Sequence, residues 1–209
     1  MNILLIGAEG RMGRMVRESA ERNDIIFPVE REVDLTHCEN VDVVVDFSTC
    51  TNRSKYIAFA RKNKLPYACF STNLSKEDKV GFKKLSAKVP VLICPNASLG
   101  VNALFEMVEI AAKLEAEATI TETHHKNKLD KPSGTAKRIE RILEENNTPF
   151  STECFRVGEE CGEHCVRFYF QDEILEVKHY AKSRKIFAIG ALKMAQKLKN
   201  QKCGMFDKI

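Results

Sequence analysis

Short apolar runs alternate with amphipathic stretches through the first half of the chain. Asn2 to Ile6, Ile25 to Val29, Val41 to Asp46, Pro66 to Phe70 and Val89 to Cys94 are runs of strand length, most with few polar interruptions, as in strands buried on both faces. Between them, Met12, Met15, Val16 and Ala20 fall at helical spacing, and Ser54 to Arg61 and Lys76 to Lys88 also read as helices. Strand alternating with helix predicts an α/β domain: a parallel sheet flanked by helices, with ligands at the carboxyl ends of its strands.

After Asn96 the pattern changes. Val101 to Leu114 predicts a long amphipathic helix with Leu104, Phe105, Val108 and Ala112 on one side, followed by a strand from Ala118 to Thr123. A second helix carries Ala136, Ile139, Ile142 and Leu143 inward. Val166 to Phe170 and Ile174 to His179 flank Gln171-Asp-Glu173 as a hairpin would, and Ile186 to Leu198 reads as a last helix. The expected organisation is a dinucleotide-binding, Rossmann-like domain over residues 1–96 and a smaller α+β mixed-sheet domain over 97–183. Residues 184–209 are expected to return to the first domain.

The glycines give the first domain its candidate chemistry. Gly7-Ala8-Glu9-Gly10-Arg11-Met12-Gly13 follows a strand at once and opens a helix. In that position Gly7 and Gly10 let the backbone turn tightly and approach a pyrophosphate, while Gly13 permits close helix-to-strand packing. Glu30 ends the second apolar run about twenty positions beyond Gly10, where a dinucleotide fold places the acid that holds a ribose. Arg31 beside it favours a ribose phosphate, so NADPH, NADH or both are expected. The strand-end loops Phe47-Ser-Thr49, Phe70-Ser71-Thr72 and Cys94-Pro95-Asn96-Ala97 are the remaining candidates for cofactor contact.

The second domain holds the densest cluster of titratable groups, Glu122-Thr-His124-His125-Lys-Asn-Lys128-Leu-Asp-Lys-Pro-Ser133-Gly134-Thr135-Ala136. Histidine titrates nearest neutrality, Lys126 and Lys128 add fixed positive charge, and Pro132-Ser133 announces a helix whose free N–H groups attract anions. Adjacent residues at a strand end point to opposite faces, which separates the surroundings of His124 and His125. Glu122 suits a supporting carboxylate or a plain strand position, and Lys126 and Lys131 a solvated one. The package fits an anionic substrate that must also be protonated.

Composition narrows the partners. The chain has 209 residues and a net charge of +4 without a long basic block, which argues against nucleic acid and membrane surfaces and suits a small anionic ligand. The opening apolar run is too short for a signal segment, so a cytoplasmic protein is expected. Eight cysteines in that setting should stay reduced, and Cys154, Cys161, His164 and Cys165 lack the paired spacing of a zinc site, so no metal is expected.

Taken together, Gly7 to Gly13, Asp46-Phe-Ser48, Asn96-Ala-Ser-Leu-Gly-Val-Asn102 and Glu122-Thr-His-His with Lys128 and Pro132-Ser-Gly-Thr-Ala136 closely resemble the 4-hydroxy-tetrahydrodipicolinate (dihydrodipicolinate) reductase family of bacterial lysine synthesis. Arg156-Val-Gly158, Gly162-Glu-His164, Lys178-His179, Ser183-Arg184 and Phe187 to Leu192 extend the resemblance over the whole chain. It implies reduction, by an NAD(P)H hydride, of a cyclic unsaturated dicarboxylate on the diaminopimelate route. It implies His124 as the acid/base group, His125 as a substrate contact, Lys128 as a proton donor or charge stabiliser, and Gly134 and Thr135 as the backbone grip on a substrate carboxylate. A homotetramer is implied as well, with the smaller domain, residues 97–183, serving both substrate binding and oligomerisation. The chain departs from the family pattern at Phe70, where glycine is usual, and at Ala97, where phenylalanine is usual; the two changes compensate if Phe70 fills the space Ala97 leaves. Lys131 stands where alanine is common. An inactive NAD(P)-binding sensor of the same fold is the alternative that Phe70 motivates, and the retained proton-transfer groups argue against it.

Overall fold

The structure is a computed structural model and describes residues 1–29, 35, 38, 40–49, 53–72 and 74–209. The described chain divides into two compact units, Met1–Ser98 with Lys185–Ile209, and Leu99–Arg184.

In the first unit, strands β1 (Asn2–Ile6), β2 (Ile25–Val29), β3 (Val43–Asp46), β4 (Tyr67–Cys69), β5 (Pro90–Ile93) and β10 (Gly204–Phe206) pair in the order β10-β5-β4-β3-β1-β2. Every pairing is parallel. Helices α1 (Arg11–Ser19), α2 (Arg53–Asn63), α3 (Lys76–Ser86) and α6 (Lys185–Leu198) complete the unit. Two cores result. Ile3, Leu5, Val43 and Val45 pack with Val16 of α1 and with Ala188, Ala191, Met194, Ala195 and Leu198 of α6. Leu4, Ile6 and Val44 pack instead with Tyr56, Ile57 and Ala60 of α2 and Phe82 and Leu85 of α3. Strand residues of alternate parity thus serve opposite faces, which is why these runs are apolar throughout rather than alternating.

Strand β10 was absent from the sequence reading. It is a three-residue edge strand beside β5, too short to carry a periodic signal. The other predicted elements lie within a few residues of their expected limits; β3, for example, begins at Val43 rather than Val41.

The second unit carries β6 (Glu117–His124), β7 (Phe150–Arg156), β8 (Glu163–Tyr169) and β9 (Ile174–Tyr180) in the order β7-β6-β8-β9, with helices α4 (Leu99–Ala111) and α5 (Gly134–Glu145). β6 and β7 run parallel through the crossover helix α5, whereas β8 and β9 are antiparallel to their neighbours. The core gathers Leu104 and Val108 of α4, Ile139, Ile142 and Leu143 of α5, and Ala118, Ile120, Val166, Phe168 and Val177 from the sheet. Strand β7 was also missed. Its residues, FSTECFR, alternate between half-buried and exposed with no apolar run, as an edge strand allows.

Candidate active site

The register of the first sheet assembles the proposed cofactor loops. Ile6 pairs with both Val29 and Asp46, Asp46 with Cys69, and Cys69 with Ile93, so the loops beginning at Gly7, Phe47, Phe70 and Cys94 leave the sheet at one level. The chain direction of the sheet's winding reverses between β1 and β3, the place where open parallel sheets bind ligands. There Gly7 has φ +80°, and a Cβ on it would sit 3.1 Å from the backbone of Ser48. A side chain at Gly13 would run into the Gly7 carbonyl and the Ala8 backbone, so the turn and the helix can approach this closely only through glycine. Gly10 caps α1, whose first turn holds no acidic residue, leaving the positive end of the helix uncompensated for an anion.

A buried polar network fixes the neighbouring loop. The Asp46 carboxylate, fully buried, accepts hydrogen bonds from Arg53 Nε at 2.8 Å, the Tyr67 hydroxyl at 2.9 Å, and the Ser48 N–H and hydroxyl at 2.7 and 2.6 Å. Arg53 also reaches Asp78 at 2.5 Å and the Ser48 carbonyl at 3.0 Å. Ser71 donates to that same carbonyl at 2.5 Å, which ties two of the strand-end loops together. Burial, reinforced by the Asp46 charge, pushes the Cys69 thiol up to about 12, so it is inert.

Of the other cofactor candidates, Glu9 is exposed and paired with Arg17 at 2.6 Å, Arg11 is exposed, and Met12 packs against the core. Thr72 and Pro95 are exposed, while Cys94 donates to the Asn96 carbonyl at 3.0 Å. Phe70 is turned inward: it is buried, stacks on Phe47 with ring centroids 5.0 Å apart, and shares a core cluster with Ala97. Glu30 and Arg31 lie outside the described residues. The site fits a dinucleotide in the groups that are described: a glycine turn, an open helix start and aligned strand ends.

In the second unit, one face of β6 changes character halfway along. Ala118 and Ile120 enter the core, and the next two residues of the same parity, Glu122 and His124, are buried as well. A carboxylate and an imidazole therefore continue an apolar row. Glu122 is satisfied from several sides: His124 Nδ1 bonds one carboxylate oxygen, while Arg156 at 2.7 Å and the Ser133 N–H at 3.3 Å donate to the other. Burial alone would raise the Glu122 pKa, but the Arg156 and His124 contacts outweigh it and hold the group below the ordinary glutamate range. His124 shifts down: desolvation, with the nearby Lys128 and Arg156 cations, prevails over the attraction of Glu122.

Arg156, from the end of β7, organises the segment that follows β6. Its side chain donates to the carbonyls of Lys128 at 3.3 Å and Asp130 at 2.6 Å while holding Glu122. Lys128 pairs with Asp130 at 2.7 Å, and His125 Nε2 lies 3.2 Å from Arg184. The segment then enters α5 through Ser133, whose hydroxyl accepts from the Ala136 N–H at 3.2 Å and meets His164 Nε2 at 3.0 Å. A Cβ built on Gly134 at the exposed start of α5 would meet nothing within 4 Å. His164, on β8, packs edge-on against the His124 ring at 5.1 Å, and burial depresses its pKa to about 3.

Sequence reasoning left Glu122 undecided between support and strand, and assigned no role to Arg156 or His164. The available signal was the parity of Glu122 with His124 along β6; the convergence of Arg156 and His164 required the sheet order. Ligand atoms of Glu122, His124 and His164 lie within 4.8 Å of one another, a distance suited to a metal ion. However, both Glu122 oxygens already accept hydrogen bonds, and the Arg156 cation sits on one of them, so the carboxylate is engaged by donors rather than open to an ion. Among the described residues, no cysteine joins His164 in such a group. Among them, too, no helix is long and apolar enough to cross a membrane.

Comparison with known proteins bears on the family and the fold. Residues 1–97 match the family model for the dihydrodipicolinate reductase N-terminus, and residues 100–208 that for its C-terminus. The 4-hydroxy-tetrahydrodipicolinate reductase of Thermosipho africanus is 33% identical over 99% of this chain and 95% of its own length. That of Zymomonas mobilis is 34% identical over 99% and 95%. Among solved structures, dipicolinate-bound dihydrodipicolinate reductase from Paenisporosarcina sp. TG-14 superposes with a TM-score of 0.83 at 15% identity, covering 100% of this chain and 97% of that one, a likeness of fold.

Proposed function

Because this chain belongs to the dihydrodipicolinate reductase family, and is thus an NAD(P)H-using oxidoreductase, we propose that it reduces 4-hydroxy-tetrahydrodipicolinate to tetrahydrodipicolinate on the diaminopimelate route to lysine. The observation that carries this reading is the tie between the proton-transfer group and the anion grip: Glu122 bonds both the His124 imidazole and the Ser133 N–H that starts α5.

The groups then divide as follows. Gly7, Gly10 and the start of α1 hold the cofactor pyrophosphate, and Ser71, Thr72 and the backbone from Phe70 and from Cys94 to Ala97 face the nicotinamide side. NAD(P)H supplies the hydride when bound. Gly134 and Thr135 bind one substrate carboxylate at the positive end of α5, and His125 takes part in orienting the ring. Hydride addition to a conjugated imine leaves a carbanion-like carbon, and His124 delivers a proton to it. Lys128 stabilises negative charge as it develops, released for that purpose from Asp130. The ligand in the Paenisporosarcina structure, dipicolinate, is a planar dicarboxylate of the kind this arrangement would hold.

We also propose a homotetramer. Phe155, Val157, Tyr169, Ile174, Leu175 and Tyr180 are exposed on or beside β7, β8 and β9, an apolar surface suited to association. Light scattering of the purified protein should give four chains per particle; a monomer would end this part of the reading.

The decisive experiment follows NADPH and NADH oxidation with substrate generated in place. Turnover with either cofactor, and its loss in His124→Gln, are expected. Cofactor binding without any turnover would favour an inactive NAD(P)-binding sensor.

A further inference from the structure

The two nitrogens of the His124 ring face different surroundings. Nδ1 is committed to Glu122, which is fully buried and held in turn by Arg156. Nε2 looks toward Gly162, in the loop that leads into β8. A Cβ built on Gly162 would lie 2.9 Å from Nε2 and 3.1 Å from the adjacent ring carbon, so any other residue would cover this nitrogen. Gly162 also has φ +149°, a conformation that side-chain-bearing residues rarely adopt. Its carbonyl is fixed by the Ala181 N–H at 2.9 Å, so the loop is held in place rather than free to withdraw.

We propose that Glu122, with Arg156 behind it, is a positioning residue that keeps a proton on Nδ1 of His124, and that Gly162 keeps Nε2 open as the atom that delivers the proton to substrate. This rests on the reading of His124 as proton donor. In the step itself the Nε2–H bond of the imidazolium breaks and its proton goes to the carbanion-like carbon left by hydride addition. The neutral ring that remains retains its Nδ1–H on Glu122, and Nε2 regains a proton from solvent after product leaves. Glu122 stays ionised throughout, because Arg156 and the Ser133 N–H donate to it in both states.

The titratable groups that face the ring come from every element packed on it. Glu122 on β6 favours the imidazolium, Arg156 at the end of β7 and Lys128 in the loop after β6 oppose it, and His164 on β8, with its pKa held near 3, faces the ring uncharged. Removing the Glu122 charge therefore lowers the pH at which His124 loses its proton. A reaction that needs imidazolium would then fail at lower pH.

Two-bond imidazole 1H–15N correlation spectra of the full-length protein test the assignment directly. Neutral His124 should carry its proton on Nδ1, and Glu122→Gln, which keeps the volume, should remove that preference. In the same variant the alkaline limb of kcat/KM should move to lower pH by about one unit or more, with kcat falling about tenfold and KM for NAD(P)H unchanged. Gly162→Ala should lower kcat while leaving the far-ultraviolet circular dichroism intact. Should Glu122→Gln fail to fold, the tautomer in the unmodified protein still decides the matter. Unimpaired turnover in His124→Gln would sink the donor reading itself. Slow turnover there, combined with a neutral ring protonated on Nε2 or an unmoved alkaline limb in Glu122→Gln, would overturn the positioning role alone.

Discussion

The strand-end loops of the first unit and the β6-to-α5 segment of the second build their sites from different materials. Around Gly7 the groups proposed to meet a cofactor are backbone: a positive φ, a close approach to Ser48, a helix start without a side-chain cap and four loops leaving the sheet at one level, with the Asp46 and Arg53 side chains holding the neighbouring loop from beneath. Around His124 the determinants are mostly side chains that satisfy one another, with Glu122 taking donors from the His124 and Arg156 side chains and from the Ser133 backbone N–H. Binding a large invariant cofactor needs shape, which many sequences supply. Moving a proton needs fixed partners for particular atoms, so substitutions should act through geometry in the first region and through charge in the second.

Arg156→Ala should break the contrast most severely. It leaves a buried carboxylate without its cation, and breaking such a pair costs about 3–5 kcal/mol. It also frees the carbonyls of Lys128 and Asp130 from their anchor. Urea denaturation should show the loss, and turnover should fall with it, while the affinity for NAD(P)H of any folded fraction stays near that of the unmodified protein. An unchanged unfolding midpoint would mean that Glu122 does not depend on Arg156.

Gly13→Ala probes the other region. The added methyl group would strike the Gly7 carbonyl and the Ala8 backbone, and such overpacking costs about 1–3 kcal/mol. Here the displaced atoms form the turn proposed to hold the pyrophosphate. NAD(P)H titration should therefore report affinity weakened about tenfold or more, the equivalent of some 1.4 kcal/mol per decade. Neutral His124 should keep its tautomer, because the second unit is untouched.

The difference in materials also explains what the sequence revealed. The Gly7-to-Gly13 turn and the runs Asn2 to Ile6 and Val41 to Asp46 were legible because backbone requirements leave local marks: glycines at fixed offsets and apolar residues with few interruptions. Strands β7 and β10 were not, since an edge strand with mixed residues and a three-residue strand impose little pattern. His124 stood out by residue type. Glu122 had the right parity but no local sign that it would be buried. Arg156 and His164 become part of the site only because β7 and β8 flank β6, a long-range pairing that no nearby residue encodes.

The charge-based region should also announce itself in the pH dependence of stability. His164 is nearly fully buried, and its pKa falls from 6.5 to about 3, so the unfolded chain binds a proton that the folded chain refuses. Stability should then decrease as pH falls below about 6.5, by up to roughly 1.4 kcal/mol per pH unit for this group while pH remains above its folded value. His124 and His179, also shifted down, add to the slope with the same sign. Between pH 6.5 and 5, above the range in which Glu122 titrates, His164→Gln should flatten the plot of unfolding free energy against pH by about one proton. An unaltered slope would place the acid sensitivity elsewhere.

The smallest effect separates shape from contact in the first region. Phe70 stands where the family usually has glycine, yet its ring is buried, stacked on Phe47 and clustered with Ala97. Such a ring supports the loop from within the core, and the proposed cofactor contact at this position falls to the backbone. Phe70→Leu keeps most of the volume and removes the stacking, which is worth about 0.5–1.5 kcal/mol. Thermal denaturation should register a loss of that order, with NAD(P)H affinity changed less than about threefold, under 0.7 kcal/mol. A large loss of affinity without loss of stability would show that the aromatic face itself meets the nicotinamide. The first region would then meet its cofactor through a side chain, and its contrast with the second would narrow.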